Sequence, residues 1–224
     1  MKMYHPIMRF NTDERGARRE SYHHGNLREA LIESALRLIA ENGPAGFSFA
    51  EVARAAGVSP AAPYRHFRDR NALVAEIARR GFERFADELD RAWAGGRPDP
   101  MTAIENCGKA YLAFARREPA AYSAMFDTGF PFEQEPALLL ASERAFGVLR
   151  HAAEILCATP RMKPGFVRPP ATMVALHIWA MSHGIAALFI GRTLAMRRKL
   201  PMTPEELLES GLLVYLQSLG LTNP

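Results

Sequence analysis

The chain has 224 residues, 48% hydrophobic and 23% charged, a balance that excludes a disordered or collagen-like protein and lets roughly 70% of the unfolded surface be buried. Two cysteines, Cys107 and Cys157, without CxxC spacing argue against a disulfide framework or zinc finger and fit a reducing cytoplasm. The net charge is +4, of which +3 lies in residues 1–70, so the amino-terminal end has the sign that suits a polyanion.

Residues 1–24 contain no apolar run of signal-peptide length and read as a flexible, solvated arm. Arg15, Arg18 and Arg19 give that arm the charge for phosphate or minor-groove contacts. Residues 26–41 place Leu27, Leu31, Ala35 and Leu38 on one helical face, opened by Asn26 and Glu29 at capping-box spacing. The run Asn42-Gly43-Pro44-Ala45-Gly46 breaks the helix. Ser48 and Glu51 then open a short helix with Val52, Ala53 and Ala56 inward, and Gly57 ends it in a left-handed cap. Ser59-Pro60 predicts a third helix over 59–66, in which Pro63 removes an amide and limits the length. Asp69 opens a longer helix with Leu73, Ile77, Phe85 and Leu89 on its inner face.

Gly95–Pro100 reads as a linker, after which helical spacing resumes near 101–117, 119–127, 135–157, 171–192 and 204–219. No alternating strand pattern and no repeat interrupts this. The predicted fold class is all-α: an arm over 1–24, a three-helix head over 25–85 with a helix-turn-helix at 48–67, and a helical body over 86–224. Ala171–Gly191 is free of charge and long enough to span a bilayer. It carries His177 and His183, however, which are costly in lipid. It is read as a helix buried in the protein or at a subunit interface, with no membrane partner.

Two short helices joined by Ala56-Gly57-Val58 form a helix-turn-helix pattern whose second helix fits a major groove of double-stranded DNA. Ala61 and Ala62 are small enough for close approach to base edges, and an alanine methyl can meet a thymine methyl. Arg65 has the reach for guanine or phosphate. Ser48, Ser59, Tyr64 and His66 offer groups suited to phosphate oxygens, and Arg70 adds another cation. Val58 and Phe67 belong to the head's core.

The run from Tyr22 to Ala78 resembles the DNA-binding head of the TetR family of bacterial transcriptional regulators. The resemblance rests on the first helix, the Gly-rich break, the pattern SxxEVAxxAGVS over 48–59, and the Tyr64–Phe67 quartet. It implies a cytoplasmic homodimer that binds a palindromic operator, usually as a repressor released by a small-molecule effector. Trp179, His183 and Gly184 resemble the Trp…His-Gly signature of the WHG-type carboxy-terminal domain of that family.

In the body, Tyr111, Phe114, Tyr122, Met125, Phe126, Phe130, Phe132 and Phe146 concentrate aromatic and methionine surface. They read as plain core or as the walls of an apolar effector pocket, with His177 or Tyr111 as its polar handle. Trp179 and His183 either touch that effector or are structural, with Gly184 allowing close helix packing. The histidines show no metal-ligand spacing, and no metal or cofactor is expected. The last helix carries Leu208, Leu212, Tyr215 and Leu219 on one face, with Leu207, Gly211 and Val214 beside it, and pairs with the uncharged helix as a dimer interface or as core. No nucleophile elbow, phosphate loop or HExxH is present. A ligand-independent DNA-binding dimer and a small helical enzyme are the alternative readings.

Overall fold

The computed structural model describes residues 27–129, 135–158, 169–190 and 201–221. Among them are eight α-helices, one 3₁₀ turn and no strand. The arm, Asn26, Phe130 and Phe132 lie outside the described residues.

Helix α1, Leu27–Asn42, buries Leu31, Ile32, Ala35 and Ile39. The expected stripe through Leu27 and Leu38 is rotated, and both are only partly buried. Neighbours on more than one side draw Ile32 and Ile39 inward. The capping box expected of Asn26 and Glu29 involves Asn26, outside the described residues. The Glu29 carboxylate accepts hydrogen bonds at 2.6 and 2.7 Å from the Arg80 guanidinium, 51 residues away.

Helix α2, Phe49–Ala55, starts from both halves of the Ser48–Glu51 capping box. It ends as expected at Gly57, whose φ of +71° lies in the left-handed region that favours glycine. There Gly57 N–H donates to the Arg54 carbonyl and Val58 N–H to that of Ala53, the paired bonds of a Schellman stop.

The third helix expected over 59–66 is not an α-helix. A turn, with Ala62 N–H donating to the Ser59 carbonyl, leads into a 3₁₀ turn over Pro63–Arg65. An α-helix capped at Ser59 needs residue 63 to donate back to that carbonyl, and proline has no N–H to give. The chain closes the tighter i→i+3 ladder instead.

Helix α3, Arg70–Trp93, is capped by Asp69, which accepts from Ala72 N–H at 2.8 Å. It buries Leu73, Ile77, Phe85 and Leu89 as expected, with Val74, Phe82 and Trp93 in addition. The division expected after residue 85 falls inside this helix, between two fully buried side chains. On its amino-terminal half, Arg28, Arg79 and Arg80 all converge on Glu76. Burial raises the pKa of this carboxyl, but the three arginine hydrogen bonds outweigh it and bring the pKa down to about 2.

Asp99 caps α4, Pro100–Arg117, and Pro119 starts α5, Pro119–Phe126. Helix α6, Pro136–Ala158, lies along α3, while α7, Ala171–Ile190, packs on α6 and α4. Thr203 and Glu206 form a capping box for α8, Pro204–Ser218, which closes the body against α7 and α4. At Gly108 a Cβ would stand 2.6 Å from Leu208 Cδ2, so any larger residue there would force the Leu208 side chain to shift. Ala171–Phe189 is long and apolar enough to cross a membrane, with 33% of it buried; here it is a packed helix of the body. Both cysteines are buried and unbonded to each other, and burial pushes the Cys107 thiol up to about 12.

Candidate functional site

The eight residues singled out in the head fall into three settings. Ser48 is occupied at the start of α2, where its hydroxyl lies 2.7 Å from Glu51 Oε2. Ser59, Ala61, Tyr64, Arg65 and His66 are exposed on the turn after α2, and Ala62 is half-buried. Tyr64 is 62% exposed, with its ring edge-on to Phe49 at 4.9 Å. This contact fixes the ring while leaving the hydroxyl outward.

The side chains of Arg65 and His66 make no hydrogen bond or ion pair with the described residues. Arg70 is held differently. Its guanidinium lies 4.6 Å from the Phe47 ring centroid, Nη1 donates to Asn71, and buried Nε has no hydrogen-bond partner. Pro63 and Phe67 anchor the turn in the core. The result is a short, exposed, basic edge mounted on buried anchors.

The candidates in the body divide between core, cavity and surface. Tyr111, Phe114 and Met125 are fully buried. Nδ1 of His183 on α7 lies 2.7 Å from the Tyr122 hydroxyl on α5 and 2.9 Å from that of Tyr111 on α4. The two phenols are 3.3 Å apart. Burial lowers the His183 pKa, with Asp127 opposing, and pushes the Tyr122 phenol up to about 12. All three groups are therefore neutral at pH 7. An Nε2–H tautomer, with Nδ1 accepting, gives every phenol proton an acceptor within the trio.

Phe126, Phe146 and Trp179 line a cavity of about 290 Å³ with Phe82, Ser142, Glu143 and Leu176. The ring centroids of Phe82–Phe126, Phe126–Trp179 and Phe146–Trp179 are 5.4, 6.0 and 5.7 Å apart. His183 sits behind this wall, 4.9 Å from Phe126. His177 is exposed and turned to α8, its Nδ1 2.7 Å from the Tyr215 hydroxyl. Phe82, Ser142, Glu143 and Leu176 were not among the sequence candidates. Phe82 had a signal in the inward face of α3, but the others show none in local spacing.

Helices α7 and α8 also expose Met173, Leu176, Leu188, Leu213 and Val214. Among the described residues, an added Cβ at Gly184 would meet nothing within 4 Å, so the close packing expected there is not made with them. The tight approach is instead at Gly211, where a Cβ would lie 3.2 Å from Met181 Sδ. Among the described residues, no three His, Cys, Asp or Glu side chains group as a metal site requires.

Comparison with known proteins adds two family matches. Residues 31–77 match the bacterial regulatory proteins of the tetR family, and residues 104–214 match the tetracyclin repressor-like C-terminal domain. The HTH-type transcriptional regulator BetI of Rhizobium meliloti (strain 1021) is 29% identical over 119 residues, 52% of this chain. The chain spans 59% of the length of that relative. A protein of unknown function from Rhodococcus sp. RHA1 has a similar structure, with a TM-score of 0.72 at 29% identity, covering 89% of this chain and 98% of its own. AibR, solved with isovaleryl coenzyme A and operator DNA, shares the fold at a TM-score of 0.61 and 19% identity, covering 83% of this chain and 95% of its own.

Proposed function

The chain belongs to the TetR family of DNA-binding transcriptional regulators, and from that premise we propose that it is a homodimeric repressor released by a small, largely apolar effector. The head, residues 25–85, reads a palindromic operator in the cytoplasm, and the body, residues 86–224, dimerises and binds the effector. The observation that carries this reading is the exposed edge Tyr64–His66, where the side chains of Arg65 and His66 have no partner within the described residues. An unpaired guanidinium on an exposed edge retains its donors for a phosphate or a guanine.

In the complex, Ala61 and Ala62 approach the bases, while Arg65 reaches guanine or phosphate. Ser48, Ser59, Tyr64, His66 and Arg70 hold the backbone. Two such edges enter successive major grooves, whose centres are about 34–36 Å apart. The exposed apolar residues of α7 and α8 support the twofold interface. The cavity lined by Phe126, Phe146 and Trp179 supports an effector site. Effector bound there shifts α3 and changes the spacing of the two heads. To move a population from 1:99 to 99:1, it must prefer the released state by about 5.5 kcal/mol. The reading assigns no catalytic step to the chain.

The test is selection of duplexes from a random library, followed by affinity measurements between 50 and 200 mM salt. Selected sites should be inverted repeats, and affinity should fall about 10³-fold or more over that range. Binding that is weak and indifferent to sequence would overturn the reading.

A further inference from the structure

The cavity between α3, α5, α6 and α7 has a charge pattern that narrows its ligand. Four of its seven lining residues are aromatic: Phe82, Phe126, Phe146 and Trp179. None is Lys or Arg, and the one charged group is Glu143. Glu143 is exposed, and its carboxylate makes no hydrogen bond or ion pair with the described residues. Its neighbour Arg144, the nearest cation in sequence, is instead committed to Asp87 at 2.5 Å. Behind the wall, burial keeps His183 uncharged at neutral pH, and the charge that acts on it is that of Asp127. Among the described residues, the lining is thus aromatic, with negative charge and no opposing cation.

Resting on the reading of this cavity as the effector site, we propose that its ligand is a hydrophobic organic cation, held among Phe82, Phe126, Phe146 and Trp179 and paired with Glu143. The negative faces of aromatic rings attract a cation whose charge is spread over alkyl groups. Such a cation loses little hydration on entering an apolar cavity. A neutral hydrocarbon of the same shape gains only the burial of its surface, and it strips water from the Glu143 carboxylate without replacing it. An anion meets the carboxylate as a like charge.

The test uses the full-length protein and three probes of similar size: benzyltrimethylammonium, its uncharged isostere neopentylbenzene, and phenylacetate. Binding is read by quenching of tryptophan fluorescence and by calorimetry. The cation should bind about tenfold more tightly than the isostere, the advantage expected of cation–aromatic contact. Glu143→Gln should weaken the cation about three- to tenfold and leave the isostere unchanged. Phe146→Leu, which keeps an apolar wall, should weaken the cation more than the isostere. Equal binding of cation and isostere, or tighter binding of phenylacetate, overturns the proposal while the cavity remains an effector site. Binding of none of the three overturns both.

Discussion

Tyr122 and His183 meet at 2.7 Å between oxygen and Nδ1, joining α5 to α7 across the body. Tyr111 stands 2.9 Å from the same nitrogen, so either phenol can satisfy it. Tyr122→Phe or Tyr111→Phe alone should cost about 1 kcal/mol. The double variant should cost more than the sum, because it leaves Nδ1 buried without a donor. Urea unfolding of the four proteins measures this, and strict additivity would show that the trio does not act as a unit.

Arg65→Ala should lower operator affinity by about 1–3 kcal/mol, the range for one good base contact. If Arg65 reads guanine, the loss is confined to selected sequences; if it holds phosphate, all duplexes lose alike. Tyr64→Phe should weaken all sequences about equally. Gel-shift titrations distinguish these outcomes, and unchanged affinity in both variants would falsify the role of this edge.

Val214 is 63% exposed on α8. In the proposed dimer, Val214→Asp places an unpaired carboxylate in an apolar interface on both protomers. Dimer dissociation should strengthen at least about tenfold, visible by sedimentation at micromolar concentration. A variant as dimeric as the parent places the interface elsewhere.

Two residues with left-handed backbone should respond in opposite directions. Gly57 has φ +71° and Ala94, the cap of α3, has φ +47°. Gly57→Ala should lose about 1 kcal/mol, and Ala94→Gly should gain about 0.5 kcal/mol once the greater entropy of an unfolded glycine is counted. Thermal unfolding should therefore shift down for the first and up for the second.

Glu76 ties stability to pH. Its pKa is about 2 in the fold against an ordinary 4.5, so the unfolded chain binds the proton more readily. The resulting stabilisation is complete above pH 4.5, declines as pH falls, and is gone below 2. It amounts to about 3 kcal/mol at most. Glu76→Gln should reduce stability at pH 7 and flatten its loss below pH 4.5. A parallel pair of curves would assign that loss to other carboxylates.

What could be read from the sequence was local. Ser48 with Glu51, and Gly57 after them, describe α2 within ten residues, because caps and turns are decided by neighbouring backbone. The carboxylate of Glu29 binds Arg80, and nothing in its local spacing points to a partner so remote in sequence. The 59–66 segment carries a helix-start signal at Ser59, and a single missing amide at Pro63 alters it. The aromatic residues of the body were visible as a set. Their division was not, because Tyr111 and Phe114 differ from Phe146 only in which helices cover them. Glu143 and Ser142 join the cavity through the rotation of α6 against α3, which no spacing within α6 reveals.

The salt links from Arg28 to Glu76 and from Glu29 to Arg80 bolt α1 to the first half of α3. The head therefore has no joint of its own with that half, and it inherits every change in the helix's direction. A helix of 24 residues is about 36 Å long at 1.5 Å per residue. Pivoted near Trp93, a tilt of about 5° carries Asp69 through roughly 3 Å. That displacement approaches the rise of one base pair, so in the proposed complex a lever this stiff would turn a small rearrangement around Phe82 into a loss of register on the duplex.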